Sequence, residues 1–166
     1  MSVDVARLPI TVGVGALMVR DGRLLVVRRT YGIAKGLWTI PSGYVEPRES
    51  VVETLEREVM EETRIRGRVG ELLAVRNRVT ADANDTFLIF RMEYLDGEPR
   101  PDTQEVSAAS FVLLDELRDS EESAPFTRAL IERIPDAEGM RLDPYDPKRE
   151  GDLRYLLFVR PPAKGL

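Results

Sequence analysis

The chain contains no cysteine and no histidine in 166 residues. Without cysteine there is no disulfide, no thiolate nucleophile and no cysteine-based zinc site. Without histidine, any general base or metal ligand comes mainly from Asp, Glu, Lys, Tyr or backbone oxygen. Long apolar runs are also missing. The longest apolar stretch, Ile10 to Val19, is broken by Thr11, Gly13 and Gly15 and is too short to span a bilayer. No basic segment followed by an apolar one opens the chain, so a secretory signal is not expected, and the expected setting is cytoplasmic with no membrane partner. Excess positive charge is lacking as well: the net charge is -5 and the pI is about 5.0. That balance disfavours non-specific nucleic-acid binding, which depends on neutralising phosphates with Lys and Arg. Internal repeats and low-complexity segments are absent.

What is present suits one domain over residues 1–166, long enough to bury a core without cross-links. After a short lead-in ending at Pro9, Thr11 to Val19 is small and β-branched, as in a strand. Asp21-Gly22 marks a hairpin, and Leu24 to Arg28 is the returning strand. Residues 30–36 read as a loop, and Leu37 to Ile40 as a short strand ended by Pro41-Ser42-Gly43. Ser50 to Glu62 reads as a helix. Ser50 and Glu53 have capping-box spacing, and Val51, Val52, Leu55 and Val59 share a stripe that should face a sheet. Val69 to Val79 and Thr86 to Leu95 read as long strands around a polar loop at 80–85, with a turn at Asp96-Gly97. Ala108 to Leu114 is a further strand, followed by a helical turn at Asp115 to Leu117. Ala124 to Ile134 is a second amphipathic helix, with Phe126, Leu130 and Ile134 four apart. Residues 135–151 read as loop, and Leu153 to Val159 as a last strand, which either closes the sheet or meets a partner chain. Strands and helices mixed along one chain point to a layered α/β or α+β domain.

The informative segment runs from Gly43 to Glu62 and holds seven glutamates between positions 46 and 62. On composition alone, such a run is a solvated helix face. The spacing argues otherwise. Glu58 and Glu62 are i,i+4 neighbours, Glu61 is one position around, and all three flank the apolar stripe. Like charges so placed cost a few tenths of a kcal/mol when exposed and more when partly buried. They call for a compensating cation, and hard divalent ions with oxygen ligands are the natural candidates. Arg57 is placed to pair with Glu53 and Glu61, one turn before and after it. A glycine at position 43 lets backbone oxygen approach an ion or ligand closely.

Gly43, Glu49, Arg57, Glu58, Val59, Glu61, Glu62 and Ile65 stand at the spacing G-x5-E-x7-R-E-U-x-E-E-x-G-U, where U is aliphatic. In this the chain resembles the Nudix hydrolases. The departure is Arg64 at the second glycine, where a left-handed residue often ends the helix. Either the helix ends differently, at Gly67, or a strain of about 1–2 kcal/mol is tolerated. Lys35 to Pro41 is similar to the run that leads into many Nudix boxes, with Ser42 in place of a glycine. Glu105-Val106, Phe111 and Leu114-Asp115-Glu116-Leu117 are similar to a later family segment. The resemblance covers roughly residues 11 to 134 and leaves a C-terminal extension, 135–166, without a match.

The resemblance implies an α/β/α sandwich with a mixed sheet and hydrolysis of a nucleoside diphosphate linked to a moiety X. The substrate would be an ADP-ribose-like sugar nucleotide or a nucleoside triphosphate. It implies Glu58, Glu61 and Glu62 as ligands of Mg²⁺ or Mn²⁺, with Gly43 oxygen as another ligand and Glu105 as an extra ligand or base. One of the box glutamates would help deprotonate water, and Arg57 and Glu49 would orient them. Arg28, Arg29, Arg76 and Arg78 are candidates for gripping phosphate, since arginine forks match its oxygens. Tyr44 and Tyr31 are candidates for stacking on a base, and Trp38 is better explained as core. The resemblance leaves a homodimer open, since many relatives form dimers, and does not fix the oligomeric state. Three competing functions carry less. A non-catalytic nucleotide sensor usually loses box glutamates, and this chain keeps them. The isoprenoid-diphosphate isomerases of this fold use a cysteine that is absent here. RNA decapping fits poorly with the acidic balance.

Overall fold

The computed structural model describes residues 9–134 and 136–160. The lead-in 1–8 and the last six residues lie outside that range. In chain order the elements are β1 (Ile10–Leu17), β2 (Val19–Arg20), β3 (Arg23–Arg29), β4 (Trp38–Thr39), β5 (Ser42–Tyr44) and α1 (Val51–Thr63). There follow β6 (Arg66–Val79), β7 (Asn84–Asp96), β8 (Val106–Leu113), α2 (Leu114–Asp119), α3 (Pro125–Arg133), β9 (Arg141–Asp143) and β10 (Leu157–Val159).

The strands form two four-stranded assemblies. The first is mixed, in the order β5-β1-β7-β6, with β1 parallel to β7 and the other pairs antiparallel. In the second, β3 pairs antiparallel with β8 along one edge and with β2 and β4 on the other. Period-two alternation divides the core between two faces. Val14, Ala16 and Met18, Leu25, Phe90 and Met92 join Leu55 and Val59 of α1 on one side. Leu17, Leu24, Val26 and Ile89 join Leu117 of α2 and Leu130 and Ile131 of α3 on the other. The result is helix, sheet, helix. Each fully buried Leu or Val contributes about 1.5–3 kcal/mol, so the Leu55–Val59 stripe is a principal reason α1 lies where it does.

The tail departs from expectation. Residues 135–151 are not all loop, because Arg141–Asp143 forms β9. The last strand is shorter than expected, Leu157–Val159, and it pairs antiparallel with β9. It neither closes a main sheet nor leaves an open edge toward β9. Met140 bridges to Leu72, and Phe158 packs edge-on against Phe90 at 5.3 Å between ring centroids. Tertiary burial of those two apolar side chains recruits a segment whose Pro, Gly and Asp content reads as loop.

Candidate active site

Helix α1 carries the site and is fixed at both ends. The Ser50 hydroxyl accepts from the Glu53 amide at 3.2 Å, and the Glu53 carboxylate accepts from the Ser50 amide at 2.9 Å, closing the capping box. At the far end Arg64 adopts the left-handed conformation, φ 61° and ψ 15°, with its amide donating to Met60 oxygen. The helix therefore ends where a glycine would have ended it, and arginine bears the strain.

Glu62 does not flank the apolar stripe; it lies on it. Seven residues separate it from Leu55, which brings it back to within about 20° of the same direction. Its side chain is 1% exposed. Both of its oxygens accept from the Arg29 guanidinium, and one also accepts from the Ser42 amide at 3.2 Å. Burial pushes the Glu62 carboxyl up to about 7 even though Arg29 and the Ser42 amide pull it down. Glu58 is half-buried one turn earlier, and burial raises its carboxyl too, against the opposing pull of Arg57. Gly43 stands directly over Glu58: a Cβ there would fall on the Glu58 carboxyl group.

The third carboxylate comes from the loop before β8. Asp102 accepts from the amides of Gln104, Glu105 and Val106 at 2.9–3.1 Å. The Thr30 amide and hydroxyl both donate to Glu105 oxygen at 3.0 Å. These contacts set the Glu105 backbone opposite α1, and oxygens of Glu58, Glu62 and Glu105 lie within 4.8 Å of one another. Three convergent carboxylates, one of them deeply buried, are a hard-oxygen donor set that fits a divalent cation. Glu61 is not in the convergence. Its side chain is 55% exposed, and it accepts from Arg57 at 3.2 Å on the outer side of the helix.

Arg57 is placed differently from its expected pairing. It donates to Glu49 at 2.9 and 3.0 Å, to Glu58 at 3.0 Å and to Glu61, but not to Glu53. Glu53 is taken up by the capping box and by Arg154 of the tail, at 2.6 and 3.0 Å. Hydrogen bonding to Arg57 lowers the Glu49 carboxyl, and Thr54 adds a second donor. Arg57 thus ties the loop residue Glu49 to Glu58 in one network.

Glu58 and Glu105 border a cleft of about 680 Å³, with Glu62 buried behind them. It opens between the 30–37 loop, the β4–β5 link, the ends of β6 and β7, and the start of α3. Glu58, Glu105, Arg29, Arg76, Arg78, Tyr44 and Tyr31 all line it. Burial and then the Glu105 charge raise the Tyr31 hydroxyl. The inner wall is aromatic: Phe87 and Phe126 meet edge-on at 6.0 Å, and the Arg76 guanidinium lies over both, 4.9 and 5.2 Å from their centroids. Arg76 also pairs with Asp85, which accepts from the Thr11 hydroxyl at 2.6 Å. Gly13 and Gly15 make room for that wall, since a Cβ at either would come within 2.6–2.8 Å of the Phe87 ring.

Arg28 is not part of the cleft. It stacks on Trp38 at 4.5 Å and donates to Glu122 at 2.6 Å. Its neighbour Arg29 faces inward instead, as alternation along a strand requires. Sequence reasoning missed Ser42 as a partner of Glu62, Asp102 and Thr30 as supports of Glu105, and Phe87 and Phe126 as the wall. Asp102 alone left a signal, as a short polar residue just before a glutamate in a turn.

Comparison with known proteins bears on this geometry. The family model described as NUDIX domain matches residues 9–134. A MutT-like protein of Streptomyces ambofaciens is 37% identical over 108 residues, covering 64% of this chain and 66% of that protein. An ADP-ribose pyrophosphatase of Methanocaldococcus jannaschii is 30% identical over 89 residues, covering 52% of this chain and 53% of that protein. The chain thus matches between about half and two-thirds of the length of these curated relatives. A crystal structure of a MutT NUDIX hydrolase from Burkholderia pseudomallei has a TM-score of 0.67 at 30% identity, covering 75% of this chain and 97% of that one.

Proposed function

Since this chain belongs to the Nudix family and has its fold, we propose that it is a metal-dependent hydrolase that cleaves the diphosphate linkage of a nucleoside diphosphate joined to a group X. The observation that carries this is the convergence of Glu58, Glu62 and Glu105 at a cleft that also presents Arg29, Arg76 and Arg78. Negative charge for a cation and positive charge for phosphate face one space large enough for a small molecule. The donor set fits Mg²⁺ or Mn²⁺, held by those three carboxylates, with the Gly43 backbone close against Glu58. A bound ion would offset the charge of the diphosphate and acidify water at the site.

The chain's own residues do the rest. Glu58, whose carboxyl burial raises, is the candidate to accept a proton from water. Arg57 and Glu49 fix its rotamer. Glu61, on the outer face, supports Arg57. Arg76 and Arg78, two apart on β6 and so on one face, grip phosphate oxygens. Tyr44 and the Phe87–Phe126 wall exclude water and pack against the flat part of the substrate. The name of the M. jannaschii relative supports ADP-ribose as the first compound to try, with nucleoside triphosphates as the other class. Met140 and Phe158 pack onto the core that carries α1, which supports a single domain over 1–166. We place the protein in the cytoplasm and take a homodimer as its proposed assembly. No helix among the described residues is long and apolar enough to cross a membrane.

The test is turnover of ADP-ribose, NADH, dinucleoside polyphosphates and (deoxy)nucleoside triphosphates with Mg²⁺ or Mn²⁺, by wild type and Glu62→Gln. The substitution should lower phosphate release by about 10–100-fold or more, the cost of disturbing a metal site, and should lower the melting temperature, because Arg29 loses its buried counter-charge. Equal turnover by the two proteins would remove Glu62 from the site, and no turnover of any compound would end the assignment.

A further inference from the structure

Arg29 closes β3, where the pairing with β8 shifts register between Arg28 and Arg29. The extra residue, Ser107, lies on β8, so β3 keeps its alternation and Arg29 turns to the face opposite Arg28. Only 9% of Arg29 is exposed, yet it lines the cleft. Its two terminal nitrogens cover both oxygens of Glu62, and one of them also donates to Ser42, to the hydroxyl at 2.8 Å and the carbonyl at 3.1 Å. The Ser42 amide takes a further acceptor site on Glu62. The carboxylate is thus largely occupied by donors of the chain itself.

A carboxylate this buried needs a cation to stay charged. Arg29 supplies one, and a divalent ion bound by Glu58, Glu62 and Glu105 would supply another at the same oxygens. The two cannot share Glu62 at hydrogen-bond range without strong like-charge repulsion in a site of low dielectric. We propose that Arg29 is a displaceable counter-ion. It pairs with Glu62 and keeps it aimed while no ion is bound, and is released into the cleft when the ion binds, where its fork meets the anionic substrate. This rests on the assignment of Glu62 as a metal ligand above. Ser42 belongs to the device: its hydroxyl and carbonyl hold the guanidinium on the cleft side and leave it a short path.

Crystals of the wild-type chain with and without saturating Mg²⁺ test the displacement directly. The loaded crystal should show Arg29 beyond hydrogen-bond reach of Glu62. A loaded crystal that keeps both contacts overturns the proposal. Calorimetric titration of Mg²⁺ into wild type and Arg29→Met at pH 8.5 gives an independent measure with an unusual sign. Removing the competitor should tighten Mg²⁺ binding about five- to tenfold, the low end of ligand–ligand coupling, while KM for the substrate rises. A merely structural role for Arg29 would loosen Mg²⁺ binding instead. Equal or weaker binding by folded Arg29→Met overturns the displacement alone. Absence of Mg²⁺ uptake by both proteins overturns the metal assignment beneath it. If Arg29→Met does not fold, Arg29→Lys, which keeps the charge but loses the fork, should tighten binding to a smaller degree, and no change with it counts against the proposal.

Discussion

Gly43 is required by the residue it faces and not by its own backbone. Its φ is not among the positive values in the chain, so alanine meets no conformational strain there. The added methyl would collide with the carboxyl end of Glu58, which is a flexible side chain that can swing aside. The cost therefore falls on function. Gly43→Ala should leave the melting temperature within about 2 °C, as expected for a change below about 0.5 kcal/mol in a domain of this size. It should lower kcat/KM about a hundredfold, since a displacement near 1 Å costs that much. Thermal melts and steady-state kinetics check both. A large loss of stability would show that Glu58 has no room to move. Arg28 and Arg29 make the same point about single positions. They are chemically equivalent in the sequence, and the strand register alone turns one onto Trp38 and Glu122 and the other onto Glu62.

At the scale of the element, α1 shows how much a local pattern can specify. Its start at Ser50, its apolar stripe and its box spacing are visible in the chain. Its ion pairs are not, because Glu53 is claimed by a residue 101 positions away and Glu49 takes the place next to Arg57. The C-cap is the weak point. Arg64 is exposed, left-handed, and packed with its carbonyl against Gly97, whose own φ is 107°. Arg64→Gly should raise stability by about 0.5–1 kcal/mol, the relief of left-handed strain less the greater unfolded freedom of glycine. That corresponds to a midpoint about 1–4 °C higher. Differential scanning calorimetry of the two proteins decides it, and a lower midpoint would mean that the arginine side chain contributes more than its backbone costs.

At the scale of the whole molecule, burial and the tail set opposite pH dependences. The Glu62 carboxyl stands at about 7 in the folded chain and 4.5 unfolded, so the folded state holds its proton more tightly. The stability this contributes is complete below pH 4.5 and is lost as the pH rises through 7. Hydrogen bonding from Arg154 and the Ser50 amide lowers Glu53 to about 2, so its contribution is present above pH 4.5 and is lost as the pH falls toward 2. The metal-free protein should therefore melt highest near pH 4.5–5 and lose stability on either side. Added Mg²⁺ or Mn²⁺ should raise the midpoint more at pH 8 than at pH 5, because the ion competes with a proton at the lower pH. Melting curves across this range are the measurement. A metal-free midpoint that stays level from pH 4.5 to 7.5 contradicts the placing of Glu62. Arg154→Ala should lessen the loss on the acid side without abolishing it, since Glu49, Glu71 and Asp146 keep their own partners, and should leave the alkaline side unchanged.

Short-range chemistry was written in the chain itself. The capping box, the period-two strands, the apolar stripe of α1 and the spacing of Arg57, Glu58 and Glu62 all depend on neighbours a few residues apart, and a regular helix or strand turns such spacing directly into geometry. Only the folded molecule decided the rest: that Glu105 and not Glu61 joins Glu58 and Glu62, that Arg29 and not Arg28 turns inward, and that Arg154 and Phe158 return from the tail to α1 and the core. These contacts bridge residues tens of positions apart. They form because burying apolar surface brings distant segments together, and no local spacing encodes which distant segment arrives.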